Sequence, residues 1–571
     1  MTIHEVDPGL LDRIFGEGQG AAPTERARSS KRLFVRGLDE LTFDDSPKAT
    51  GRRLSALEAL DAYGFDTLAE VATEGSALLC ESVDAVGRAL RTRRAQLDLP
   101  IRAIASETGL PLEVIEALES SKRRPIREYE KVARVLGLDE RMLSFRSAPE
   151  GNQEVAVRLG EMHDARAVVT SSVVVSLAEA AWVAMTQLRL EAELSLPAPA
   201  HRFLEDAFYG SSTLPAYKVG HDLANSFRKA LGLGEEPIRS MRALLENELR
   251  IPVIQADLGK RIAGATVESS GRRAIVVNLF GRNQSPFARR STLAHELCHL
   301  LFDPQQKLRS LRVDEYAELD ERADQRVDPV EQRANAFGVQ LLAPQSSALL
   351  LHEWTLTATK DEPLARVMDE FGVSFTAARF QIWNALGRAI PLESIWATKS
   401  QPEADWEARE GYTTTYHPIR ALADHPSRAG RFSAVVLRAA EEGIISWDSA
   451  SEWLFSSEQD IKRAAPSIHE LYPDLFNATS AQNEVPARHA LPRTDEKAVS
   501  ETVTARAGKT AAKISKKSAG VATHVPHSKE APTKRALAAP RSRPATSQAP
   551  QAKGAGGVAH PRKPKAPTFG G

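Results

Sequence analysis

Along most of the chain, apolar residues return every three or four positions, the spacing of one helical face. Only the stretch near 251–280 reads as strand. The pattern predicts a mainly α protein with a small β-sheet, and it falls into six stretches. Residues 1–80 hold a loose start and the amphipathic "RRLSALEALDAYGFDTLAEVA", which predicts a helical N-terminal region. Residues 81–145 read as a compact helical unit, 146–215 as a helical connector, 216–390 as an α+β domain, 391–480 as a small helical domain and 481–571 as a basic tail. Within the connector, "AVVTSSVVVSLAEAAWVAM" (167–185) is interrupted by Ser, Thr and Glu, so it is expected as a buried helix rather than a membrane span. In "RAGRFSAVVLRAAEEGIISWDSASEWLFSSEQDIKR" (428–463), Gly443 separates two helices and Ser446 starts the second. Trp447 and Trp453 are expected to pack that unit rather than to contact a partner.

Composition adds little until charge is divided along the chain. The 571 residues are 42% apolar and 26% charged, which suits several globular cores. The formal charge of -1 conceals 17 Lys/Arg against 5 Asp/Glu in residues 481–571, a net of +12 that leaves -13 for the rest. That tail is rich in Ala, Pro, Lys and Ser, so it is expected to be disordered. It would either attract phosphates or merely solubilise the chain. Cys80 and Cys298 are too few for a disulfide framework, and the N-terminus has neither a basic n-region nor an apolar core. A cytoplasmic protein without a membrane partner is expected, its oligomeric state open.

The unit at 81–145 contains "VGRALRTRRAQLDLPIRAIASETGLPLEVIEALESSKRRPIREYEKVARVLGL", whose apolar spacing predicts five short helices around one core, with a tight turn at Gly109. "IRAIASETGLPLEVIEALESSKRRP" resembles the Cro/C1-type (XRE) helix-turn-helix family, with Glu119 in its structural position. The resemblance implies a recognition helix over Pro111 to Ser120, lying in the major groove. The reading face departs from the family: Ile101, Leu112, Glu113 and Glu116 stand where polar or basic readers are expected. Arg93, Arg94, Lys122, Arg123 and Arg124 would then hold the phosphate backbone. The other reading of this unit is a protein-binding or dimerising module.

The chemistry-bearing segment is "TLAHELCHLLFD" (292–303). Leu293, Leu297, Leu300 and Leu301 predict a helix from about Ser291, the expected N-cap. His295 and His299 then lie about 40° apart around the axis and about 6 Å along it, so both imidazoles reach one ion. Glu296, about 100° from His295, is placed to act on a water at that ion rather than to ligate it. Chance alone gives H-E-x-x-H in on the order of 2% of chains with this histidine content, so context decides. A strand and turn, "RAIVVNLFGRN" (273–283), precede the helix and read as an edge strand for extended substrate. Downstream, "EQRANAFGVQLLAP" (331–344) predicts a helix that can offer Glu331 as third ligand, while Asn335 orients a histidine from behind. The bland alternative is a buried histidine pair in a helical core.

Together, "RRSTLAHELCHLLFD", "EQRANAFGVQLLAP" and "VMDEFGVSFTAARFQIWNALG" resemble the ImmA/IrrE family of metallopeptidases over about residues 216–390. The resemblance implies a gluzincin-like core and a bound Zn2+, with His295, His299 and Glu331 as metal ligands and Glu296 as the catalytic glutamate. It also implies a protein substrate, a helix-turn-helix repressor or an antitoxin-like protein, cut to control transcription. The alternative is a DNA-binding regulator whose peptidase-like domain is a non-catalytic sensor. Residues between His299 and Glu331 read as a charged, flexible insertion near the cleft. Cys298 is expected as a small buried residue, and Tyr316 and His352 as weak candidates for an oxyanion donor.

Overall fold

The computed structural model describes residues 7–80, 82–120, 122–143, 145, 170–196, 214–269, 272–303, 311–315, 329–358, 362–395, 403–410 and 417–476. The basic tail, Tyr316 and most of the charged insertion lie outside them. Helix dominates, with two four-stranded sheets, in agreement with a mainly α chain carrying small sheets.

The N-terminal region differs from its expectation. After helices α1 (Pro8–Phe15) and α2 (Pro23–Ser29), strands β1 (Leu33–Arg36), β2 (Glu40–Phe43), β3 (Arg52–Ser55) and β4 (Ser76–Leu78) form an antiparallel sheet in the order β3-β1-β2-β4. Strands of three or four residues are too short to display a period of two. The helix expected from residue 52 starts later, as α3 (Ala56–Glu74). Ser55 accepts from the Glu58 amide while the Glu58 carboxylate accepts from Ser55, a capping box that divides strand from helix.

Helices α4 (Val83–Gln96), α5 (Ile101–Thr108), α6 (Leu112–Glu119) and α7 (Ile126–Val135) follow, with Gly109 at φ 65° making the turn between α5 and α6. They close over a core of Val86, Leu90, Ile104, Ile115, Leu118 and Val132.

Helix α8 (Ser171–Glu193), the apolar segment of the connector, is long and apolar enough to cross a membrane by composition. Most of it is buried within the protein. Val174, Val175 and Ala178 complete the α4–α7 core. Leu177, Trp182 and Leu190 join a second core that holds α3, one face of the other sheet and the C-terminal helices. The stretches separated by sequence pattern therefore share cores, and one compact unit runs from Met1 to Asn483.

After α9 (Ala216–Ala230), the second sheet has the order β5-β7-β6-β8, from β5 (Val253–Ala256), β6 (Ile262–Ser269), β7 (Arg272–Asn278) and β8 (Leu311–Glu315). β7 is central, parallel to β5 and antiparallel to β6, and not the edge strand expected. Its unbroken buried run Ala274 to Val277 is the signature of a strand covered on both faces. The edges are β5 and β8, and β8 lies inside the segment expected as insertion and pairs antiparallel with β6. On the face away from α8 lie α10 (Pro286–Phe302), α11 (Pro329–Leu342), α12 (Gln345–Ala358), α13 (Pro363–Phe371) and α14 (Phe375–Ala385), around a third core. The helix α15 (Glu403–Glu410) leads to the C-terminal helices α16 (Arg431–Glu441), α17 (Trp447–Trp453) and α18 (Glu458–Leu471). Gly443 makes the break, Ser446 caps α17, and Trp453 is wholly buried against Trp182.

Candidate metal centre

Helix α10 begins at Pro286, five residues before the expected cap at Ser291. Proline at the first helical position lacks only an amide proton that would be unsatisfied there anyway. The helix is buried along nearly all of its length, with His295, Glu296 and His299 almost fully enclosed. Glu331 enters from the first turn of α11 and is buried as well.

One ligand atom from each of His295, His299 and Glu331 lies within 4.8 Å of the others. The two Nε2 atoms are 2.9 Å apart, and Glu331 Oε2 is 3.2 Å from that of His295 and 3.6 Å from that of His299. What faces the gap is decided by the far side of each ring. His295 Nδ1 is 2.9 Å from Asn335 Oδ1, and His299 Nδ1 is 2.7 Å from Asp303 Oδ2. Both partners are acceptors, so each Nδ1 carries the proton and each Nε2 turns a lone pair inward. Two imidazole lone pairs and a carboxylate oxygen thus converge with no proton of their own to share. That donor set fits a divalent cation of the zinc type, and two nitrogens with one oxygen leave a fourth tetrahedral position open.

Helix α11 braces this arrangement through three residues in one and a half turns. Glu331 meets both rings, Asn335 holds His295, and Arg333 is ion-paired with Asp303, the residue that holds His299. Asp303 and Arg333 are contacts that the sequence reading missed. Asp303 stands four residues after His299, one turn on, and H-x-x-x-D was a readable signal.

Glu296 points at the sheet. Thr266 Oγ1 on β6 donates to Glu296 Oε2 at 2.9 Å. Gly264, two residues earlier and on the same face of the strand, has no side chain, and a Cβ there would stand 2.7 Å from Glu296 Oε1 and 2.8 Å from Thr292 Cγ2. Threonine fixes one oxygen and glycine makes room for the other. Asn283 secures the same corner, donating to the Ala263 carbonyl and accepting from Thr292.

His295 and Asn335 also line a cavity of about 540 Å³ walled by α9, α10, α11 and α14. His352 is not among its lining residues. Cys298 is fully buried and stands outside the ligand cluster.

The basic residues proposed for a nucleic-acid backbone are mostly engaged within the protein. Arg93 is only 3% exposed and donates to the Leu136 carbonyl, so it is withdrawn from any phosphate, and burial pulls its guanidinium down to about 10. The expectation for Arg93 is corrected on this ground: its side of α4 packs inward. Arg94 grips the carboxylate of buried Glu119 with two nitrogens, at 2.5 and 2.8 Å. Arg124 does the same with Glu128, and Arg123 pairs with Asp39. Lys122 is exposed.

No curated protein matches the chain. Residues 246–382, which span the sheet, both metal-site helices and most of α14, match the peptidase family model described as the IrrE N-terminal-like domain.

Proposed function

We propose that the protein is a zinc-dependent endopeptidase that cuts another protein, a helix-turn-helix repressor or antitoxin-like regulator, and so controls transcription. The observation that carries the reading is the convergence of two tautomer-fixed Nε2 lone pairs and Glu331, with Glu296 next to His295 on the same helix. The match to a peptidase family over these same residues supports it.

His295, His299 and Glu331 would hold Zn2+, which when bound polarises water and a peptide carbonyl. Glu296 is the proton carrier. Its Oε2 is tethered by Thr266, so the carboxylate keeps one orientation. It takes a proton from the attacking water and delivers it to the nitrogen of the departing amine. Asn335 and Asp303 keep both Nδ1 atoms protonated throughout and thereby keep the rings basic at Nε2.

The test is cleavage of co-expressed repressors by the full chain, with zinc counted in the same preparation. Glu296→Gln should retain about one zinc per chain while cleavage falls by several orders of magnitude, and His295→Ala should lose the zinc too. Undiminished cleavage by the Gln variant would exclude the assignment. Zinc bound with no Glu296-dependent cleavage would favour a non-catalytic sensor.

A further inference from the structure

The cavity beside His295 has a charge pattern that metal binding does not require. One wall is a face of α14, with Ala377, Phe380, Gln381 and Asn384 at intervals of one to four residues, and Arg388 follows from the turn just past the end of that helix. Arg282, from the turn before α10, lines it as well. Among the described residues that line the cavity there is no aspartate or glutamate, in a chain whose first 480 residues are net acidic.

Arg388 is held without being neutralised. Its Nε donates to Asn384 Oδ1 at 3.1 Å, and its guanidinium lies 4.7 Å over the Trp383 ring. It forms no ion pair with any described residue. With the Nε edge tied and the plane set by the indole, the two terminal nitrogens remain as a ready fork, the geometry that matches a carboxylate. The remaining wall includes the hydroxyl groups of Ser291 and Thr376, which a purely aliphatic side chain would desolvate without replacing their hydrogen bonds.

We infer that this cavity is the specificity pocket of the site and takes an acidic residue of an extended protein substrate, its carboxylate paired with Arg388 and drawn in by Arg282. The inference rests on the metallopeptidase reading. It adds a substrate class: proteins with an Asp or Glu near the bond to be cut.

The test uses the zinc-loaded full chain and mixtures of fluorogenic decapeptides in which one position at a time is acidic (Asp or Glu), its amide (Asn or Gln), Lys or Leu. At one position, kcat/KM should be at least about tenfold higher for the acids than for their amides, the discrimination expected of a charge-assisted hydrogen bond. Arg388→Glu should turn the preference toward Lys, and Arg388→Lys should keep part of the original one. Equal rates for acids and amides, with cleavage still abolished by Glu296→Gln, overturn the pocket and leave the peptidase standing. If no mixture is cut, fluorescence polarisation of the same peptides on the Glu296→Gln chain decides. Selective, Arg388-dependent retention of acidic peptides supports the pocket, and indifferent binding overturns it even if repressor cleavage is later found.

Discussion

A metal-ligating histidine almost always gives the proton of its other nitrogen a fixed acceptor, and here each of the two rings has a different one. Asn335 supplies a neutral acceptor to His295, and Asp303 supplies a charged one to His299, itself steadied by Arg333. The charged partner raises ring basicity more, so His299 should depend on its support more strongly. We expect Asp303→Ala to weaken zinc binding by about 10–100-fold, as judged by competition with a chromophoric chelator, and Asn335→Ala to do less. Equal zinc affinity in wild type and Asp303→Ala would remove Asp303 from the site. Most of the centre was legible at this scale, because His295, Glu296 and His299 sit on one helix, and Glu331 and Asn335 sit on another at the same spacing. Thr266 was not legible. It meets Glu296 across 30 residues of sequence, and nothing local marks one threonine on a strand as the partner of a distant carboxylate.

At the scale of elements, what matters is how closely β6 approaches α10. A strand packed this closely on α10 must leave space for the Glu296 carboxylate, and Gly264 does so. Gly264→Ala would press a methyl group against Glu296 Oε1 and Thr292, and also within 3.1 Å of the Val276 carbonyl, which is backbone and cannot swing away. Since a misplacement of about 1 Å can cost about 100-fold in rate, kcat/KM should fall by roughly that factor while zinc content stays unchanged. A simultaneous loss of zinc would mean that the helix, and not the carboxylate alone, had moved. Elements were read well where they were long and periodic, as in α10, α11 and α16. Short ones escaped. β1 to β4 each have too few residues to show alternation, and β8 lies in a charged segment whose strand character comes from pairing with β6. The continuous apolar run of β7 was read as an edge, although covering both faces is what such a run requires.

In the whole molecule, the α4–α7 unit is tied into the rest by buried charge. Glu140, just beyond α7, accepts from Arg52 of β3 at 3.0 Å, from Trp182 of α8 at 2.7 Å and from Trp453 of α17 at 2.8 Å. One carboxylate therefore joins the N-terminal sheet, the central helix and the C-terminal unit, and no spacing in the sequence could have paired positions so far apart. Burial pushes this carboxyl up, yet Arg52 and Arg134 outweigh it and hold it below the usual range. A folded-state value below the unfolded one means stability that is complete at neutral pH and lost as pH falls through the lowered value. Glu140→Gln removes the charge and leaves Arg52 only its more distant carboxylates, Glu130 at 3.4 Å and Glu58 at 4.0 Å, so the loss stays below the about 3–5 kcal/mol of a wholly unpaired buried charge. We therefore expect a lower urea midpoint for the Gln variant at pH 7, with wild type and variant converging as the pH falls through the lowered folded-state value. A gap that stays constant with pH would show that Glu140 acts through hydrogen bonds to the two indoles and not through its charge. A gap that widens on acidification would contradict the sign of the shift.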